Sequence, residues 1–283
     1  MGGLSRFSFV VRWLVLGVLI GVGIGLVSVA FNLLLRVFED IVLGIIVGVP
    51  YPHPLGEGGS LSILLNHPRL YLIPMVTALG GLLCGVIVYN LAPEAGGSGT
   101  PEVVRSFSRG FRVRPVVVPV KVLVSAITIG FGGSGGKEGP AAQYSAGLGS
   151  FITELLGLSP EDRRVAIAVG LGAGIGTILK SPIGGVVFAV ELLRRRGFSI
   201  KILYPALIAS LVGSVVFDLV FSFKPYLGLY RGSVSLFELP LFAVLGMATG
   251  FIGILFSKSF RWFSIVFSRF GVPGFLKPMI GGF

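Results

Sequence analysis

Long apolar runs, rarely interrupted by charge, alternate with short polar connections along this chain. From Trp13 to Phe38 only Asn32 and Arg36 are strongly polar. At 1.5 Å per residue, a helix over that run crosses a hydrocarbon layer about 30 Å thick. Further apolar runs fall at 70–91, 115–131, 139–157, 164–179, 182–193, 198–222 and 236–268, with a shorter piece at 101–107. Several are too short to cross upright, and 182–193 falls well below the roughly 20 residues a crossing needs. Short runs interrupted by Gly or Pro mark discontinuous helices that meet inside a membrane. The pattern predicts an all-α membrane protein with outward-facing loops at 48–69 and 223–235. The first run is too long for a cleaved signal peptide, and no small-residue cleavage site follows it.

Composition agrees. The 283 residues are 53% hydrophobic and 12% charged, with mean hydropathy +0.94; soluble domains carry about twice that charge. The 44 glycines and 17 prolines suit membrane helices that approach closely or break where protein covers the freed backbone. Cys84 stands alone in an apolar stretch, so no disulfide framework is expected. His53 and His67 share a loop without partners of metal-site type, and neither metal nor cofactor is expected.

The net charge of +11 raises the question of nucleic acid, but its placement answers it. With segments taken alternately across the membrane, Arg6, Arg12 and the basic positions within 105–114, 163–164, 194–201 and 258–277 all fall on one side. Arg36, Arg69, Lys224 and Arg231 fall on the other, while Lys121, Lys137 and Lys180 lie within segments. That asymmetry is the positive-inside pattern. It predicts a multi-pass protein of the cell membrane with a cytoplasmic N-terminus, in contact with lipid and not with nucleic acid.

An internal repeat is visible. GVGIGLVSVAFN (Gly21–Asn32) aligns with GMATGFIGILFS (Gly246–Ser257), and YLIPMV from Tyr71 aligns with FLKPMI from Phe275, in the same order. The expected division is a first transmembrane repeat over 1–235 and the start of a second over 236–283. An odd number of crossings and re-entrant pieces between the copies would invert the second. Phe283 falls just inside the second helix of the repeated unit, so the second repeat is expected to be truncated.

Three elements carry chemistry. In Gly96-Gly97-Ser98-Gly99-Thr100-Pro101-Glu102, glycines leave backbone amides bare and Pro101 suits a first helical turn. A helix start adds partial positive charge and Ser98 a hydroxyl, which together bind an anion without a full cation; the alternative is a serine that only caps the helix. Phe131-Gly132-Gly133-Ser134-Gly135-Gly136-Lys137-Glu138-Gly139-Pro140 repeats the design and adds Glu138 between two membrane segments. A carboxylate there can occupy an anion site itself and be released by protonation; the alternative is an N-terminal acid paired with Lys137. The third element, Ser181 to Arg194, holds Glu191, which either pairs with Arg194 or Arg195 or takes part in ion or proton movement. Gly132-x-Ser134-x-Gly136 imitates a hydrolase nucleophile elbow, but both histidines are distant and strand character is missing. Gly136-Lys137 is followed by Glu138 where a phosphate-binding loop needs Ser or Thr. No enzyme is expected.

GSGTPE (Gly97–Glu102), GKEGP (Gly136–Pro140) and PIGGVVFAVE (Pro182–Glu191) together resemble the motifs of the CLC chloride channels and chloride/proton antiporters, in order and in spacing. The resemblance implies an inverted-repeat bundle with discontinuous and re-entrant helices, working as a homodimer with one anion pathway per subunit. It implies that Ser98, with Gly97, Gly99, Thr100 and Pro101, coordinates chloride and that Glu138 is the gating and proton-accepting group. Gly136, Lys137, Gly139 and Pro140 would shape the gate's loop, the apolar 182–222 region would help form the dimer interface, and Glu191 would be a candidate on the proton path. Two features depart from the family pattern. Leu192 stands where many exchangers carry a second, proton-relaying Glu. The later GxFxP loop and pore tyrosine have no counterpart, so a separately encoded C-terminal half is an expected partner. Chloride transport, as channel or antiporter, is the leading reading; the alternative is a non-conducting or regulatory half-transporter subunit.

Overall fold

The computed structural model describes residues 2–49, 52–59, 68–193, 200–228, 232 and 235–283. His67, Arg194, Arg195, Arg196 and Arg231 lie outside the described residues, and with them the suggested pairing of Glu191. The described residues form an all-helical bundle without a strand. Its ten α-helices are α1 (Gly2–Phe38), α2 (Ile73–Leu91), α3 (Thr100–Arg109), α4 (Val117–Gly130), α5 (Glu138–Leu155), α6 (Pro160–Ile178), α7 (Pro182–Leu193), α8 (Ile200–Val220), α9 (Leu239–Arg269) and α10 (Lys277–Gly282). Every apolar run read from the sequence falls on one of them. One continuation was not legible: α1 runs on as a π-helix over Glu39–Val47 until Gly48 takes a left-handed conformation.

Helix α6 is the centre. Thirteen consecutive residues from Ala166 to Ile178 are buried, although the helix is rich in glycine. Those glycines are the reason. A Cβ on Gly170 would overlap the Ser145 carbonyl of α5, and one on Gly172 would press on Ala189 of α7. With no side chain there, α5, α7 and α8 close on α6 and bury it, Ile167, Leu171 and Ile178 included. Ser159 starts the helix, its hydroxyl accepting from the Asp162 amide at 3.1 Å. Around this centre, α1 lies against α8 and contributes Trp13, Leu16, Ile20 and Ile24 to the core.

Helices α4 (14 residues) and α7 (12 residues) extend only about 21 and 18 Å, too little to cross. They therefore end inside the bundle, and their ends place loops there. At the edge of the bundle, α2 pairs with the segment 274–282, which contains the second copy of the YLIPMV element. Thr77, Gly81 and Gly85 back onto Gly282, Pro278 and Phe275 in turn. The partner number falls as the α2 number rises, so the two copies run antiparallel, as an inverted repeat requires. Helix α9 has no buried residue.

Candidate functional site

The site is built from the two glycine loops. The first follows α2 through the turn Pro93–Ala95. Arg114 anchors that turn, its guanidinium bonding the Glu94 carboxylate with Nη2 at 2.7 Å from Oε2. This hydrogen bond holds the Glu94 carboxyl below its ordinary range. The Glu94 carbonyl accepts from Gln143 of α5 at 2.7 Å. Gly97 (φ 70°) and Gly99 (φ 95°) then take left-handed conformations, which residues with a Cβ rarely adopt. A Cβ on Gly99 would also lie 2.9 Å from Gln143 and from the Gly139 carbonyl. Helix α3 starts at the next residue, Thr100.

The second loop leaves α4 at Gly130. The Gly132 and Gly133 amides return to Ile129 and Thr128 at 2.9 and 2.8 Å, and the chain enters α5 at Glu138. The Glu138 carboxylate folds back over Gly136, where a Cβ would overlap its Oε2. Gly139 backs onto the Ser98 carbonyl with no room for a side chain between them. The starts of α3 and α5, about forty residues apart in the chain, are thus pressed together, and their partial positive charges converge. Among the described residues, no hydrogen bond or ion pair engages the Glu138 carboxylate.

Both loops border one cavity of about 820 Å³. Its far wall is the face of α4 carrying Lys121, Ser125 and Thr128, with Cys84 of α2 beside them. Phe260, Gly274 and Pro278 approach from the last part of the chain. Lys121 is 2% exposed. Its Nζ donates to the Ala95 carbonyl at 3.0 Å and the Gly97 carbonyl at 2.7 Å, so the ammonium pins the first loop from behind. A cation and hydroxyls around a cavity next to two helix starts can hold a small anion, and a carboxylate there competes with it for the same positive region.

A family model described as "Voltage gated chloride channel" matches residues 80–283. The chain belongs to this family, the CLC proteins. It is 27% identical over 279 residues to an uncharacterised protein of Methanocaldococcus jannaschii, covering 98% of this chain and 62% of that one. It is 28% identical over 261 residues to the H(+)/Cl(-) exchange transporter ClcA of Citrobacter koseri, covering 89% and 51%. In fold it is similar to a slow cyanobacterial Cl−/H+ antiporter, with TM-score 0.77 at 20% identity over 96% of this chain and 64% of that one. A CLC-type fluoride/proton antiporter gives TM-score 0.74 at 19% identity over 96% and 63%. The chain therefore spans between half and two thirds of the length of these relatives.

In this CLC chain, Gly97, Ser98, Thr100, Gly136, Glu138, Gly139 and Pro140 border the cavity, whereas Gly99 packs against Gln143 and Gly139, and Pro101 is exposed outside the cavity lining. Lys137 is turned away from the cavity. Its ammonium lies 2.8 and 2.9 Å from the Glu57 carboxylate oxygens and 2.8 Å from Asn32 Oδ1, so it pairs with Glu57 rather than with Glu138. Glu191 is exposed on α7 and does not border the cavity. Sequence reasoning passed over Lys121, Ser125 and Thr128. The signal was present, because positions i, i+4 and i+7 share one helical face and polar residues there mark a lined wall in an otherwise apolar helix. Glu57 carried no such local signal.

Proposed function

We propose that this chain carries the anion-binding and gating elements of a CLC chloride transporter, a channel or chloride/proton antiporter, with Glu138 as the gate. One observation carries the reading: two helix starts from distant loops meet at a single cavity that also holds an ionisable carboxylate. Ionised, Glu138 occupies the positive region at the starts of α3 and α5 and excludes a mobile anion. Protonated, it loses its reason to stay, and chloride enters beside Ser98 and Thr100. Each opening then carries a proton with the side chain, which allows coupling. The relatives described as chloride/proton exchangers and antiporters favour chloride as the anion, and Glu191 remains a candidate on the inner proton path.

Three further expectations belong to this reading. The chain works as a homodimer with one pathway per copy, within a multi-pass arrangement in the cell membrane. A cytoplasmic N-terminus is supported by the sorting of basic residues. Arg12 with Asp162 (2.7 Å), Arg112 with Glu154 (2.9 Å) and Arg164 with the Phe107 carbonyl gather at one end, while Arg36 and Lys224 meet the 52–59 loop at the other. Residues 236–283 open a second repeat, a division supported by the antiparallel packing of its two copies.

Chloride flux from liposomes holding the full chain tests the reading. Flux of the wild type is expected to rise as pH falls. Glu138→Gln is expected to abolish that dependence and any proton coupling while anion passage persists. Unchanged pH dependence in the mutant would overturn the gate. Absence of flux from the wild type at every pH would favour a non-conducting subunit. The reversal potential under opposed chloride and proton gradients then separates channel from antiporter.

A further inference from the structure

Lys137 adjoins the gate in the chain, yet its charge goes elsewhere. A lysine next to an ionised glutamate ordinarily has that glutamate within reach of its flexible stem. Here a second acid competes for it and holds it. Glu57 lies in a short turn, Leu55–Glu57, of the outer loop, and its side chain is fully buried. The turn is fixed at two places, Arg36 and Tyr226. The Glu57 carbonyl accepts from Arg36, the Gly56 amide donates to the Tyr226 carbonyl at 3.4 Å, and a Cβ on Gly56 would lie 2.7 Å from Tyr226 Cα. Both carboxylate oxygens of Glu57 then meet the Lys137 ammonium, which Asn32 of α1 bonds from another side.

The surrounding charges leave this pair intact. Arg36 lies 4.0 Å from the Glu57 carboxylate, and its guanidinium also covers the Phe221 ring at 4.8 Å. Glu39 is within electrostatic range of Lys137, Glu57, Asp40 and Arg36. His53 has Nδ1 3.5 Å from the Glu39 carboxylate, and burial, with Arg36 adding to it, pushes its pKa below the ordinary histidine value. Lys121, on the opposite wall of the cavity, is bound to two carbonyls. The cluster thus sets three acids around one lysine: Glu57, which bonds it directly, Glu39 at longer range, and Glu138 in the cavity.

We propose that Glu57 is a positioning residue for the gate: by holding Lys137 away from Glu138 it sets the pH at which Glu138 is released. The inference rests on the reading of Glu138 as the gate. Without the charge on Glu57, the Lys137 ammonium keeps the neutral Asn32 and a longer-range attraction to Glu39, and its flexible stem becomes free to reach Glu138, its neighbour in the chain. A cation beside Glu138 favours its ionised form, so the gate then needs more acid to open.

The test uses the full chain and two readouts. One is the pH midpoint of chloride flux from liposomes. The other is the pH midpoint of the infrared carboxyl band assigned to Glu138 by its loss in Glu138→Gln. In Glu57→Gln both midpoints are expected to fall by about one pH unit. Adding Lys137→Gln is expected to bring them back to within about 0.3 unit of the wild type, because only the lysine charge transmits the effect. An unmoved midpoint in Glu57→Gln, or a shift that Lys137→Gln does not reverse, overturns the proposal. If Glu57→Gln does not fold, Lys137→Gln alone decides by infrared: an unmoved Glu138 midpoint supports the proposal, and a rise of about one unit overturns it. A wild type without pH-dependent flux would overturn the transport reading, while the infrared midpoints would still decide the role of Glu57.

Discussion

Lys121 illustrates how one side chain organises a loop of the candidate site without belonging to its motif. Burying an ammonium is costly, and the two carbonyls of Ala95 and Gly97 compensate it while the ammonium fixes the loop that carries Ser98. Lys121→Met is expected to leave those carbonyls without their donor, at about 1–3 kcal/mol for each one left unpaired. A lower melting temperature in detergent and weaker chloride binding by calorimetry check this. An unchanged melting temperature would show that the loop holds its shape alone. The glycine loops were legible from the sequence because Gly, Pro and Ser act on the backbone within a few residues. The direction of Lys137 was not legible, since its partners Asn32 and Glu57 lie 105 and 80 positions away.

At the scale of elements, the chain uses glycine in two unlike ways. Gly174 of α6 backs onto the Ser145 hydroxyl and the Ala141 carbonyl of α5, while Gly250 of α9 has nothing among the described residues within 4 Å. Gly174→Ala is expected to force α5 and α6 apart, at about 1–3 kcal/mol. Gly250→Ala is expected to be neutral or to stabilise by up to about 1 kcal/mol, as alanine does in a helix interior. Thermal unfolding of the two variants in detergent checks the pair, and equal effects would contradict the packing described for α6. Both glycines sit in similar apolar helical runs, so their sequence surroundings do not distinguish them. Element positions were legible throughout because hydrophobic length sets them. The π-helical continuation Glu39–Val47 was not, since it depends on what the end of α1 meets.

For the whole molecule, sidedness follows from where charge is tolerated. The basic stretches and their acidic partners gather at the end that holds Arg12, Arg112 and Arg164, and the 52–59 and 221–228 loops meet at the other. A membrane-impermeant thiol reagent applied to intact cells carrying Cys84→Ser is expected to label Lys224→Cys. Arg109→Cys is expected to react only after permeabilisation. The reverse pattern would invert the topology. Helix α9, apolar and without a buried residue, presents its surface to whatever apolar surroundings the bundle has.

The sequence by itself determined that this is a helical membrane protein of the CLC family, where its helices lie, and which two glycine loops make up the candidate site. Those properties follow from composition, periodicity and short-range backbone chemistry, which act between neighbours in the chain. Only the tertiary structure decided that α2 pairs antiparallel with the last helix, that Lys121 braces the Ser98 loop, and that Lys137 serves Glu57 and leaves Glu138 to the cavity. Each of these is a choice among distant partners, made when packing excludes the others, and no local pattern encodes it.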